Sequence, residues 1–97
     1  MILKVQVTAV AESEIVDAFD WYEARKSGLG VQFQKEIRHY LERISQNPHH
    51  FRALSRNLRC ASIKGFPYVI LFRVQDDTVA VVGCFHTSRN PAKRHNR

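Results

Sequence analysis

This sequence predicts a small α+β fold in the order β-α-α-β-β-β, with a helix hairpin packed on one face of a small antiparallel sheet. Three observations predict it. Two amphipathic stripes with three- and four-residue spacing lie between residues 11 and 44. A run alternating with period two precedes them. Three strand-like runs joined by short turns follow. Secondary elements bury their apolar faces against one another, so one hairpin and one meander make a two-layer domain. A chain of 97 residues is the length of one domain, residues 1–97.

Residues 2–7 alternate Ile2, Lys4 and Gln6 with Leu3, Val5 and Val7, which predicts a strand. Over residues 11–26, Ala11, Ile15, Ala18, Phe19 and Tyr22 recur at helical spacing. Glu12, Glu14, Asp17, Asp20 and Glu23 lie mostly away from them. Early acids and the late Arg25 and Lys26 suit the helix dipole. Gly28 is a candidate for the residue just past the helix end, and Leu29-Gly30 is read as a turn. From Val31 the stripe Phe33, Ile37, Tyr40, Leu41 and Ile44 predicts a second helix, stopped at Asn47-Pro48. Residues 49–56 read as a polar loop and 58–64 as a weaker strand. Gly65-Phe66-Pro67 is a turn. Residues 68–74 form a nearly continuous apolar run, expected as a central strand. Gln75-Asp76-Asp77 is a hairpin turn, residues 78–85 are the last strand, and a helix could start at Pro91.

Composition excludes several classes. The hydrophobic fraction of 44% and charged fraction of 25% are those of an ordered globular chain. No apolar stretch reaches the roughly 18 residues of a membrane span. The N-terminus lacks the pattern of a signal peptide, so a cytoplasmic location is expected. Charge is unevenly placed. Residues 1–24 carry one lysine against five acids, net −4, whereas residues 25–97 carry fourteen Lys and Arg against four acids, net +10. Such a segment is either a solvated face or a surface for an anionic partner, a nucleic acid or an acidic protein segment.

Cys60 and Cys84 form neither a disulfide framework nor a metal motif. They are expected on strands flanking a common third strand, about 10 Å apart, too far to bond. No metal site and no cofactor are expected.

The last strand hands over directly to His86-Thr87-Ser88-Arg89-Asn90-Pro91. A histidine can act as acid or base, and an arginine can grip a phosphate with two parallel hydrogen bonds. If Arg59 and Arg73 converge on His86 and Arg89, the four could bind and cleave a phosphodiester. The alternative is a histidine capping a strand and an arginine on a wet turn. Arg56, Arg59 and Lys64 form a second basic run, suited to anion contact or to guarding an edge strand. Lys93, Arg94 and Arg97 extend the cationic end. Phe66-Pro67-Tyr68 is either a platform for a base or, more simply, a turn whose rings pack into the core edge.

These pieces, in this order and spacing, resemble the RelE/ParE superfamily of bacterial type II toxin–antitoxin systems. The matching stretches are Trp21-Tyr22-Glu23, Gly28-Leu29-Gly30 with Phe33, Ile44 with Asn47-Pro48, Leu58-Arg59, Phe66-Pro67-Tyr68, Phe72, and His86 to Pro91. The resemblance implies the fold read above and a plasmid-stabilisation toxin neutralised by a cognate acidic antitoxin in a hetero-oligomer. Arg56, Arg59, Lys64, Arg89, Lys93, Arg94 and Arg97 would contact the antitoxin or a nucleic acid. The superfamily divides by target. RelE-like members are metal-independent, ribosome-dependent mRNA endonucleases, for which Arg59, Arg73, His86 and Arg89 would be catalytic. ParE-like members inhibit DNA gyrase and are not nucleases. A non-toxic remnant that only binds its antitoxin is a third reading. The chain has no tyrosine in its C-terminal tail and no lysine pair ahead of Arg59. These departures favour the ParE-like branch.

Overall fold

In the computed structural model, which describes residues 2–88, the chain order is β1 (Lys4–Val7), α1 (Ala9–Arg25), α2 (Leu29–Gln46), a 3₁₀ turn (Pro48–His50), β2 (Arg52–Ala53), β3 (Arg59–Ser62), β4 (Tyr68–Gln75) and β5 (Thr78–His86). The sheet order is β1-β5-β4-β3-β2. Neighbouring pairs from β2 to β5 are antiparallel. β1 pairs with β5 in parallel, Lys4 opposite Thr78 and Val7 opposite Val81. The antiparallel sheet expected from the sequence holds from β2 to β5, and β1 adds one parallel edge to it. The parallel edge arises because the helix hairpin carries the chain across the sheet face before the meander begins, and β1 then brings Leu3, Val5 and Val7 onto the core.

The region expected as a plain loop holds the 3₁₀ turn and the short strand β2. Pro48 and the paired backbone of Arg52 and Ala53 order it.

Core packing follows the predicted stripes. Ala11, Ala18 and Tyr22 of α1 and Phe33, Ile37, Tyr40 and Ile44 of α2 meet Ile70 and Phe72 of β4 and Val79, Val81 and Cys84 of β5. Tyr22, Phe33, Phe66 and Tyr68 form an aromatic nest with ring centroids 5.0–6.0 Å apart. Phe66-Pro67-Tyr68 is therefore a turn locked by its own rings. The base-platform alternative is ruled out for these two rings, because both pack against the hairpin.

The hairpin is held by Glu23. Its Oε1 accepts hydrogen bonds from the backbone N–H groups of Gly28 (2.9 Å), Gly30 (2.8 Å) and Val31 (3.2 Å). The first N–H groups of a helix lack intrahelical partners, and a carboxylate also suits the positive end of the dipole. This is why α2 starts at Leu29 rather than at the expected Val31. Gly28, at φ +92°, is the N-cap of α2, whereas Lys26 caps α1. At Gly30 a Cβ would lie 2.6 Å from both the Phe19 carbonyl oxygen and Glu23 Cγ, so the helices approach closely only with glycine there.

Candidate interaction surface on the open sheet face

Alternation along the strands sends side chains to two faces of the sheet. The helices cover one. The other carries a smaller apolar cluster of Leu58, Leu71 and Phe85, flanked by Cys60 and Val82. It floors a cleft of about 530 Å³. Arg52 and Arg73 line this cleft with Leu54, Ser55, Ser62 and Thr87, and no acidic side chain lines it among the described residues. The chemistry is that of a binding groove: an apolar floor, hydroxyls at the sides and cations at the rim.

Of the predicted catalytic set, Arg59, Arg73 and His86 fall within the described residues, and these three are dispersed. Arg73 is on the open face. Arg59 pairs in register with Phe72, a core residue on the helix side, and its Nη1 donates to the Phe51 carbonyl at 2.7 Å. The Arg59 guanidinium thus ties down the segment before β2. His86 is also on the helix side but pairs with Tyr68. That is four residues along β4 from Phe72, about 13 Å at the rise of a strand. The His86 ring stands edge-on to Tyr68 at 5.3 Å, and its Nδ1 accepts from the Ser88 N–H at 3.0 Å. In the neutral ring this leaves the proton on Nε2. Arg59, Arg73 and His86 therefore do not converge. Arg56 is exposed in the loop before β3 and Lys64 in the turn before β4, where the Lys64 N–H donates to Tyr40 Oη at 3.2 Å. Arg89, Lys93, Arg94, Arg97 and the possible helix from Pro91 lie outside the described residues.

The cysteines sit as expected, on the two strands flanking β4, and neither forms a disulfide. Cys60 pairs with Leu71 and Cys84 with Ile70, consecutive residues that point to opposite faces. Burial, and secondarily the nearby Glu14 carboxylate, push the Cys84 thiol up to about 12. Glu14 Oε1 accepts from the Cys84 backbone N–H at 3.0 Å, which fixes α1 to β5. Among the described residues, no three His, Cys, Asp or Glu side chains are placed to hold a metal ion.

Two features escaped sequence reasoning. One is the capping role of Glu23, whose three partners lie five to eight residues away in sequence. The other is a second cleft, of about 250 Å³, between the end of α2 and the 3₁₀ turn, lined by Arg43, Gln46, Asn47, His50 and Phe51. The i, i+3 spacing of Tyr40 and Arg43 was the available signal.

No helix among the described residues is long and apolar enough to cross a membrane. The profile of the family described as the ParE toxin of the type II toxin–antitoxin system parDE matches residues 5–91. No curated protein matches in sequence. A solved structure titled "Chromosomal ParDE TA system from P. aeruginosa" contains a chain with the same fold, at TM-score 0.76 and 12% identity, covering 88% of this chain and 96% of that one. With the profile spanning nearly the whole domain, and with the hairpin-on-sheet architecture in place, the chain belongs to the ParE toxin family of type II toxin–antitoxin systems.

Proposed function

We propose that this protein arrests growth by binding and inhibiting DNA gyrase, and that a cognate acidic antitoxin neutralises it by covering the open sheet face. The observation that carries the first half is the dispersal of Arg59, Arg73 and His86 over two faces and two ends of the sheet. General acid–base cleavage needs its groups within hydrogen-bond reach of one scissile phosphate. A protein-binding toxin has no such requirement. Acting on gyrase places the protein in the cytoplasm, and a toxin–antitoxin pair of this kind serves plasmid stabilisation.

The antitoxin reading rests on complementarity. The apolar floor suits the apolar side of an amphipathic segment, and Arg52 and Arg73 suit its acids. Arg56, Lys64, Arg89, Lys93, Arg94 and Arg97 add positive field for an acidic chain. Arg59 contributes charge too, although its Nη1 is committed to Phe51.

Purified toxin should inhibit supercoiling by gyrase and accumulate cleaved DNA complexes, and the antitoxin should reverse both. Unchanged supercoiling in excess toxin sinks the gyrase reading. Codon-phased cuts in translated mRNA, lost in Arg73→Ala, would establish the RelE-like endonuclease instead. Unimpeded growth on expression without antitoxin would establish the non-toxic remnant. For the antitoxin surface, Arg52→Glu with Arg73→Glu should weaken the complex by at least about tenfold. Unchanged affinity would move the interface elsewhere.

A further inference from the structure

The exposed side of α2 carries Lys35, Arg38, His39, Arg43 and Gln46. Lys35, His39 and Arg43 form one row, with successive members about 6 Å apart along the axis. The ridge runs on into the cleft formed by Arg43, Gln46, Asn47, His50 and Phe51. Glu42 is the exposed acid within this stripe, and Glu36 is half-buried beside it. The ridge lies on the helix layer, away from the apolar cluster of the open sheet face.

Arg43 is pre-positioned. Its guanidinium lies 5.3 Å from the Tyr40 ring centroid and 5.4 Å from that of Phe51. Both rings are themselves fixed. Tyr40 Oη accepts the Lys64 N–H, and Phe51 packs edge-on to Phe72 at 6.0 Å while its carbonyl takes Arg59. A cation held over aromatic rings loses little freedom when it meets a phosphate. The adjacent side-chain amides of Gln46 and Asn47 each offer a donor pair and an acceptor. A row of cations ending in a small cleft with aromatic and amide walls is the chemistry that binds unpaired nucleotides: charge follows the backbone, a ring meets the base, and amides meet its edge.

We propose that α2 and the cleft at its end bind a single-stranded nucleic acid, with Lys35, Arg38 and Arg43 on phosphates and one unstacked base against Phe51, Gln46 and Asn47. This surface is separate from the open sheet face, and the inference does not depend on gyrase being the target.

The test is fluorescence anisotropy of a labelled single-stranded oligonucleotide with the purified full chain. Binding should weaken with salt at a slope near −2, as about three phosphate contacts to a single strand require. Arg38→Glu and Arg43→Glu should each lower affinity at least about tenfold and flatten that slope by about one unit. Arg38 lies outside the ring stack, so its variant keeps the test valid if Arg43→Glu perturbs the fold, which circular dichroism checks. Gln46→Ala with Asn47→Ala should weaken binding and leave the slope unchanged. Equal or tighter binding of the matching duplex would overturn the proposal. So would capture of polyglutamate but not the oligonucleotide. Loss of binding in Arg73→Glu, with Arg38→Glu unaffected, would place the nucleic acid on the open sheet face and equally overturn it.

Discussion

The two faces of this sheet are built from alternate residues of the same strands, yet they are finished differently. The helix face is saturated. Phe72, Ile70, Val79 and Val81 are fully buried beneath the hairpin, and four aromatic rings fill its edge. On the open face, Leu58, Leu71 and Phe85 form a small buried cluster with Cys60 and Val82 packed against it, at the foot of a cleft. Stability therefore resides on one side, and the other side keeps apolar surface that a partner can cover.

The contrast can be broken in four ways, the largest expected effect first. At pH near 8, a thiol held at about 12 has a thiolate population roughly a thousandfold below that of an ordinary cysteine. Iodoacetamide should therefore add once to the native protein, at Cys60, with Cys84 modified only after denaturation. Mass spectrometry of labelled peptides reads this, and early labelling of Cys84 would mean that the helix face opens readily.

Phe72→Ala should cost about 3–5 kcal/mol in urea unfolding, because a fully buried ring leaves a cavity that the hairpin cannot fill. Leu58→Ala on the open face should cost less, near the low end of the roughly 2–5 kcal/mol range for such truncations, because the cleft already admits solvent at that site. Equal costs would erase the distinction between the faces.

Gly30→Ala tests the hairpin. A methyl group 2.6 Å from a backbone oxygen must push α1 and α2 apart, at about 1–3 kcal/mol.

Glu23 should show the smallest effect, and it depends on pH. Its carboxyl is held below the usual carboxylate value, first by the Gly28 N–H and then by those of Val31 and Gly30, with desolvation opposing them. A depressed folded value means that the charged form stabilises the fold. The contribution is complete above the unfolded carboxylate value and is lost as pH falls through the folded one. The stability gap between wild type and Glu23→Gln should thus be present at neutral pH and close on acidification. A gap independent of pH would show that shape, not charge, caps α2.

Much of this was legible in the residues. The stripe Phe33, Ile37, Tyr40, Ile44 could only be a helix face, and the runs of β4 and β5 are too apolar to lie anywhere but the middle of a sheet. The cysteine placement followed from strand order alone. What stayed hidden depends on register or on contacts between elements. Whether Arg59 and Arg73 share a face turns on their pairing, and a shift of one residue reverses the answer. Arg59 opposite Phe72 puts it on the face that the neighbouring Arg73 leaves. β2, only two residues long, has no period to detect. The Arg43 cleft exists because Tyr40 and Phe51, from separate elements, are brought to the same side chain.

The parallel pairing of β1 with β5 also sets an order in time. Lys4 meets Thr78 across almost the whole chain, so the N-terminal strand cannot pair until the last strand exists. Closing so long a loop costs more chain entropy than the local contacts of the helix hairpin and the β3–β4–β5 meander, so it is expected to follow them. During synthesis the sheet stays incomplete until β5 has been made, and a chain truncated before Thr78 lacks the strand that joins β1 to β4. The sheet, with both of its faces, is complete only once Thr78–His86 has been made.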